Sequence, residues 1–265
     1  MNTQARFQVR RGTKSTLPDT ILPYEITYNT DEKELYIGEA TGIPSRFTRN
    51  KEINYILENG VFKNSEEINL YVSNMGNDNN DGSEEKPYKT IQKAIDSLPL
   101  NLKYNVTINI VGGVYNEDIK IQGFSNSGGF ISLVGDSETS TNVTVNSITV
   151  RYTTYIKILG INVLQKCYVD NCNYVYFKNI NMTNRNEQID GIIISGSKSY
   201  IIDSNISYRS HAIVSQYLSS VLTNNNIGTG NTYSLTSTYG SLIAKVGVQP
   251  DASTAERITT GGIIR

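Results

Sequence analysis

A degenerate repeat with a period of about twenty residues runs through the second half of the chain. Its clearest mark is an asparagine followed by an apolar residue, at Asn162, Asn181, Asn205 and Asn226, with spacings of 19, 24 and 21 residues. A unit of this length buries its core by stacking on neighbouring units. The strands within the units are short and are separated by turn residues, so the repeat predicts a parallel β-helix with apolar side chains in the bore and asparagines at the corners. A leucine-rich repeat has a similar period, but its leucine pattern is absent.

The composition agrees with an all-β fold class. Asparagine and glycine supply turns and left-handed backbone positions, and the 18 tyrosines, which favour pleated surfaces, outnumber the 6 phenylalanines. Alternation with period two is clear at Val106, Ile108 and Ile110, and about six rungs fit between Val106 and Val246.

The net charge of -1 offers no general attraction to nucleic acid or to an acidic membrane. We therefore expect no nucleic-acid partner and no membrane insertion.

A helix is predicted immediately before the β-rich part, from Tyr88 to Leu98. Its apolar positions Ile91, Ala94 and Ile95 share one face at helical spacing, and Pro99 follows Leu98. An amphipathic helix at this place suits a cap over the first rung, which would otherwise expose its core and an unpaired strand edge.

The N-terminal part predicts a separate, smaller module. Residues 24–28 and 34–38 alternate in polarity, and the polar residues 29–33 between them suit a hairpin connection. The predicted domains are thus an attachment module in residues 1–45, a connector in 46–68 and a capped β-helix in 69–265. A β unit as small as the first buries little surface alone, so we expect it to need a partner.

The segment from Tyr71 to Ile95 resembles the opening of right-handed β-helix proteins of the pectate-lyase-like superfamily. The matching residues are Tyr71-Val72-Ser73, Gly76-Asn77-Asp78, Asp81-Gly82-Ser83, Pro87 and Thr90-Ile91 with Ala94. The resemblance implies a right-handed parallel β-helix. It does not select an activity, because this fold hosts lyases, hydrolases and binding proteins.

The N-terminal module resembles the particle-proximal region of phage tail fibres and phage hyaluronidase-type tail proteins. The matching residues are Arg10-Arg11-Gly12-Thr13, Tyr24-Glu25-Ile26, Asp31 and Leu35-Tyr36-Ile37-Gly38. The two resemblances together imply a phage tail fibre or tailspike, or its equivalent in a phage-tail-like bacteriocin. They also imply a homotrimer that docks onto a baseplate or tail-tip protein.

The docking residues expected from this resemblance are Arg6, Arg10, Arg11, Glu25 and Asp31. The basic residues among them have two readings, a solvated strand edge or a docking surface for an acidic partner. The first residues lack the apolar core of a signal peptide. We therefore expect synthesis in the host cytoplasm and a final location in the virion tail.

Polysaccharide cleavage is the enzymatic alternative. Glycosidases use two carboxylates, and lyases of this fold need a base together with acidic residues. Asp190, Asp203, Arg209 and His211 lie close in sequence and are the candidate catalytic residues, although such a group also arises on a solvated face. The favoured interpretation is that the protein is not an enzyme.

Tyrosines are the alternative ligand-binding residues, because their rings stack on sugar faces while their hydroxyls form hydrogen bonds. The candidates are Tyr200, Tyr208, Tyr217 and Tyr233, each of which is also explained as a strand residue that flanks the core.

No cofactor or metal is predicted. Asn77, Asn79 and Asp81 resemble the start of a calcium loop, but Tyr88 occupies the position where an EF-hand has its bidentate glutamate. The segment is instead interpreted as a turn that shapes the cap. Cys167 and Cys172 are expected to be buried free thiols.

The sequence as a whole favours a tail-fibre-like protein that binds envelope polysaccharide on the host surface. A polysaccharide depolymerase and a passive spacer that carries another receptor-binding protein remain the alternatives.

Overall fold

A computed structural model describes Asn64, residues 66–265 except 127, 137–138 and 186–187, and four strands nearer the N-terminus. The chain divides into two compact units, residues 1–62 and 63–265. The first unit contains β1 (Val9–Gly12), β2 (Ile26–Asn29), β3 (Glu34–Gly38) and β4 (Pro44–Thr48).

These four strands form one sheet in the order β1-β2-β3-β4. The pairing of β2 with β3 is antiparallel, with Ile26 opposite Ile37, as expected of the predicted hairpin. β1 pairs with β2 in parallel, and β4 pairs with β3 and extends past residue 45. The sequence interpretation did not include β4.

The second unit is a parallel β-helix. Its strands stack by parallel pairing into a nine-stranded sheet and a ten-stranded sheet, and β8 is the member of the latter that pairs with β11. Connections between parallel strands are nearly always right-handed, so this topology fits the right-handed β-helix implied by the resemblance. The all-β fold class predicted from the repeat is confirmed.

The strands of the β-helix lie on three faces. Face 1 is the nine-stranded sheet. Faces 2 and 3 begin as the two halves of the long strands β8 and β11, which bend at a register shift between Val145 and Ser147. Further along the chain the two halves become separate strands.

The strands of face 1 are β5 (Ile68–Val72), β7 (Val106–Ile110), β10 (Ile131–Val134), β12 (Tyr155–Leu159), β15 (Tyr174–Lys178), β18 (Lys198–Ile202), β21 (Ser220–Asn224), β23 (Leu242–Val246) and β25 (Ile263–Ile264). Faces 2 and 3 share β8 (Gly113–Gln122) and β11 (Val143–Arg151). Face 2 continues with β13 (Asn162–Val163), β16 (Asn181–Met182) and β19 (Asn205–Ile206). Face 3 continues with β14 (Cys167–Asp170), β17 (Ile192–Ser195), β20 (His211–Gln216), β22 (Asn231–Ser237) and β24 (Ala252–Ile258). A separate pair joins β6 (Asn101–Leu102) to β9 (Ser125–Asn126).

The predicted cap is present, but its helix α1 (Ile91–Asp96) is shorter than expected. Tyr88 forms a β-bridge with Val72, so the helix begins only after Thr90, whose side chain accepts a hydrogen bond from the Lys93 N–H. The first helical N–H groups, of Ile91 and Gln92, donate to the carboxylate of Glu117 from β8, at 3.0 and 2.9 Å. Burial of Ile91, Ala94 and Ile95 attaches the helix to the first rungs.

The calcium-like loop is part of this cap. The Asp78 carboxylate accepts hydrogen bonds from the backbone N–H groups of Lys89 and Thr90 and from the Thr90 hydroxyl, all at 2.9 Å. These bonds hold the residues before α1, as expected of a turn that shapes the cap. Among the residues the structure describes, no group of histidine, cysteine or acidic side chains is arranged to hold a metal ion.

The bore changes character along the axis. In the earlier rungs it is filled by aliphatic residues such as Ile108, Leu133 and Ile158, whose burial contributes about 1.5–3 kcal/mol each. In the later rungs polar residues such as Thr223, Ser215 and Ser237 are equally buried. Thr223 accepts a hydrogen bond from Asn226 and Ser237 donates one to the Ser241 carbonyl, so polar contacts replace part of the apolar packing in the later rungs.

The asparagine repeat is confirmed for three of its four members and corrected for the fourth. Asn162, Asn181 and Asn205 pair in register on face 2, and Asn181 Nδ2 donates to Asn162 Oδ1 at 2.7 Å. The residue that follows Asn205 in this column is Ile227 rather than Asn226. Asn226 instead lies inside the bore, fully buried. The sequence pattern could not show this shift, because Asn226 and Ile227 are adjacent and together match the asparagine–apolar pattern of the repeat.

The two cysteines are free and buried, as predicted. Cys167 lies in β14 and points into the bore, and Cys172 follows the corner at Asn171, which adopts a positive φ of 51°. Burial raises the pKa of the Cys167 thiol to about 12, and the nearby Arg209 lowers it by a smaller amount.

Candidate functional site

A flat group of outward side chains occupies face 1 where β12, β15 and β18 lie side by side. The strands alternate between buried and outward residues, so each presents three side chains on the outer surface. We call these nine residues the tyrosine platform. They are Tyr155, Lys157, Leu159, Tyr174, Tyr176, Lys178, Lys198, Tyr200 and Ile202.

The rings of the platform contact one another across the strands. Tyr155 pairs with Tyr174 in register, and their ring centroids are 6.0 Å apart with an angle of 44° between the planes. Tyr174 and Tyr200 are 5.2 Å apart at 45°. Burial raises the pKa of Tyr174, and Tyr200 and Tyr176 raise it further, so its hydroxyl remains protonated in the neutral range. The platform thus offers partly exposed rings on a rigid sheet.

A second aromatic pair lies at the corner between faces 3 and 1. Tyr217 and Tyr239 stack with centroids 4.8 Å apart and planes 4° from parallel. Both have positive φ, 56° and 51°, and both are about half exposed, at 54% and 48%. Leu218 beside them is 82% exposed. Tyrosines rarely adopt positive φ, so the corner places these rings at a cost in backbone strain.

The four ligand-binding tyrosines predicted from sequence do not form one site. Tyr200 belongs to the platform, and Tyr217 lies at the corner just described. Tyr233 is covered, because His211 stacks on its ring at 4.8 Å and the Arg257 guanidinium carbon lies 5.1 Å from its centroid. Its ring is therefore already in contact with two side chains.

The ring of Tyr208, at the corner between faces 2 and 3, is also in contact with an arginine. The Arg185 guanidinium carbon lies 4.9 Å from its ring centroid. Gly230 lies against the same ring, since a Cβ at that position would come within 2.6 Å of it. Tyr208 therefore serves packing at the corner.

The candidate catalytic residues separate into three places. His211 and Asp190 come together: Asp190 precedes β17, His211 begins β20 on the next rung, and Nδ1 of the histidine lies 2.7 Å from Oδ1 of the aspartate. Asp203 lies at another corner, after β18, where it adopts a φ of 52° and lies 3.8 Å from Lys178. Asp203 is therefore apart from the Asp190–His211 pair.

Arg209 is directed into the interior and is fully buried. Its guanidinium donates to the backbone carbonyls of Asn184, Tyr208 and Leu164, at 2.6, 3.2 and 3.2 Å. Burial lowers its pKa. Arg209 therefore ties together the backbone at Leu164, Asn184 and Tyr208 from inside the fold, and its buried guanidinium does not face a substrate.

Arg257 of β24 is a residue of this cluster that sequence reasoning missed. Its Nη1 atom lies 3.1 Å from Nε2 of His211, although 46 residues separate them. The guanidinium is hydrogen-bonded to Nε2, and this nitrogen would have to be free for His211 to act as a general base. The signal available in the sequence was weak, because a spacing of two rungs in an irregular repeat does not show which side chains meet.

The predicted docking residues lie in the first unit. Arg10 and Arg11 are part of β1 and pair with Thr27 and Tyr28 of β2. Arg6, Glu25 and Asp31 lie outside the described residues. In the part of the chain that is described, no helix is long and apolar enough to cross a membrane.

Comparison with known proteins finds a likeness in structure and none in sequence. No family model matches the chain, and no curated protein matches it. Among solved structures it is similar to the pectin methylesterase from Aspergillus niger, with 12% sequence identity and a TM-score of 0.35. The alignment covers 72% of this chain and 84% of that one. The fold of the present chain is defined by its own strand pairings.

Proposed function

We propose that this protein attaches a phage, or a phage-tail-like particle, to its host by binding envelope polysaccharide on the tyrosine platform. The observation that carries the proposal is the row of rings Tyr155, Tyr174 and Tyr200 on one flat sheet. Aromatic rings bury apolar sugar faces, and tyrosine hydroxyls add hydrogen bonds at low cost in side-chain entropy. A rigid sheet holds the rings in place before binding, which reduces the cost further.

The attachment part of the proposal rests on the N-terminal resemblance to tail fibres. In such an arrangement the first unit docks on the particle and the β-helix carries the platform outward, in a homotrimer. Deletion of residues 1–45 then abolishes incorporation into particles while the β-helix still folds. Normal incorporation of the truncated protein would contradict this part alone.

The binding part is tested with purified protein and isolated host-envelope polysaccharide, followed by size-exclusion chromatography. We expect the polymer to keep its length and to co-migrate with the protein. Tyr200→Ala removes an exposed ring and weakens co-migration, whereas Tyr168→Ala, on face 3, leaves it unchanged. Tyr168 serves as the control because it is also an outward tyrosine of a β-helix strand.

Two results would overturn the proposal. A shortened polymer identifies a depolymerase, for which the Asp190–His211 pair becomes the first target of mutation. Intact polymer that does not co-migrate identifies a spacer, whose recognition function is carried by another protein.

A further inference from the structure

We infer that the platform binds an acidic polysaccharide, whose negative groups are held by Lys157, Lys178 and Lys198. This inference rests on the proposed function, because it specifies the class of polymer that the same surface takes.

The charged residues in the strands of face 1 all have the same sign. Its nine strands contain four lysines and no aspartate or glutamate. One of the four, Lys245, occupies a bore position, in register with the buried Thr223, and contacts Glu256. The other three lie on the platform. Because the whole chain has a net charge of -1, this positive character belongs to the face and not to the protein in general.

The three lysines are interleaved with the tyrosines. Lys157 is in register with Tyr176, which in turn is in register with Tyr200. Lys178 follows Tyr176 by two residues on β15, and Lys198 precedes Tyr200 by two residues on β18. Neighbouring strands are about 4.8 Å apart and alternate residues about 7 Å apart, so each of these rings has an ammonium group within reach of the same sugar.

The immediate partners of the lysines leave them able to bind an anion. The Lys157 ammonium lies 3.6 Å from the centroid of the Phe130 ring, which holds it by a cation–π contact without neutralising it. Lys178 lies 3.8 Å from Asp203, and both side chains are more than 40% exposed, at 45% and 42%. An exposed pair of this kind contributes at most about 1 kcal/mol, so a polyanion can displace the aspartate.

A neutral polysaccharide would use the rings but would gain nothing from the three ammonium groups. A second copy of this chain is the other possible occupant of an aromatic face. It would place two positive platforms opposite each other, which like-charge repulsion disfavours. Charge complementarity therefore favours an acidic polymer.

The test is affinity electrophoresis of the full chain through gels that contain alginate, hyaluronate or polysialate, or the neutral polymers dextran or pullulan. We expect retardation by acidic polymers and none by neutral ones. Reduction of the carboxylates to alcohols removes the retardation. An increase in salt from about 0.05 to 0.5 M weakens it about tenfold, because exposed charges are then screened.

The triple variant Lys157→Gln/Lys178→Gln/Lys198→Gln is the decisive protein change. We expect it to lose at least about tenfold in affinity for the acidic polymer, with an unchanged circular dichroism spectrum. The matched control, Lys120→Gln/Lys166→Gln, removes two exposed lysines that lie outside face 1 and leaves binding unchanged.

Failure of the inference and failure of the proposed function give different results. Equal retardation by neutral and acidic polymers, lost in Tyr200→Ala but retained in the triple lysine variant, overturns the acidic ligand and keeps polysaccharide binding. No retardation by any polymer overturns both. If in that case Tyr200→Ala also changes the oligomeric state, the platform is an interface between copies of the chain.

Discussion

The Nη1 atom of Arg257 lies 3.1 Å from the Nε2 atom of His211. A guanidinium is always a donor, so Nε2 accepts this hydrogen bond. The imidazole is then neutral and carries its proton on Nδ1, which donates to Oδ1 of Asp190 at 2.7 Å. One histidine thus joins β20 to the residue before β17 and to β24, three rungs that are distant in sequence.

This arrangement predicts the tautomer of the single histidine. Two-dimensional ¹⁵N NMR at neutral pH should show a protonated Nδ1 and an unprotonated Nε2. Arg257→Gln keeps a donor for Nε2 and should preserve this tautomer. A dominant Nε2–H tautomer would contradict the geometry.

Two buried groups predict a loss of stability at high pH. Burial raises the pKa of Cys167 from 9.0 and that of Tyr115 from 10.0, each to about 12. Between pH 9 and 12 the unfolded chain therefore binds fewer protons than the folded one, and the free energy of unfolding falls as pH rises. Below pH 9 the contribution of these two groups to the free energy of unfolding is fully present. Each group accounts for a slope of at most about 1.4 kcal/mol per pH unit.

Urea unfolding at several pH values measures this slope. Cys167→Ala should flatten it above pH 9, and Tyr115→Phe should flatten it above pH 10, whatever each variant does to stability at neutral pH. The same burial predicts that neither cysteine reacts with a thiol reagent until the protein unfolds. An unchanged slope in both variants would show that other groups cause the alkaline loss.

The bore asparagine predicts a costly substitution. Asn226 Oδ1 accepts from the Ser204 N–H at 2.9 Å, and Nδ2 donates to the Ile201 carbonyl and the Thr223 hydroxyl, at 2.8 and 2.7 Å. Asn226→Ala leaves these buried groups without their partner and should lower the free energy of unfolding by about 2–4 kcal/mol. Asn224→Ala, an outward change on the same rung, should cost less than about 0.5 kcal/mol. If urea titrations show equal losses for the two variants, the buried hydrogen bonds of Asn226 do not stabilise the rung.

The charged pair in the bore predicts a change in association. Lys245 and Glu256 contact each other at positions where the preceding rung has the buried Thr223 and Leu235. Both side chains are partly exposed. Lys245→Ile/Glu256→Leu exposes an apolar surface instead, and we expect concentration-dependent self-association in sedimentation velocity. The reversed pair Lys245→Glu/Glu256→Lys keeps the charges and should behave as the unmodified protein.

The fold was predictable because its determinants are local and repeated. The period-two alternation at Val106, Ile108 and Ile110 appears in the structure as buried positions of β7. The helix cap followed from the spacing of Ile91, Ala94 and Ile95, although its start was displaced because Tyr88 joins a β-bridge. Each of these features depends on residues that are close along the chain.

The candidate site was less predictable, because rungs of unequal length change which side chains meet. The proximity of Asp190 and His211 could be anticipated, since one rung separates them. The inward direction of Arg209 and the contact of Arg257 with His211 could not, because both depend on the exact residue at which each strand begins. The platform likewise required the register that aligns Tyr155 with Tyr174.

The sequence by itself determined an all-β chain, a stacking repeat, a capping helix and two buried thiols, because hydrophobic periodicity and turn residues act over a few positions. Only the tertiary structure decided that Tyr174 and Tyr200 share a surface with Lys157, that Asp203 lies apart from Asp190, and that Asn226 is buried. In a β-helix the neighbours of a residue lie one rung away, and a shift of one residue in a corner moves a side chain from the surface into the bore.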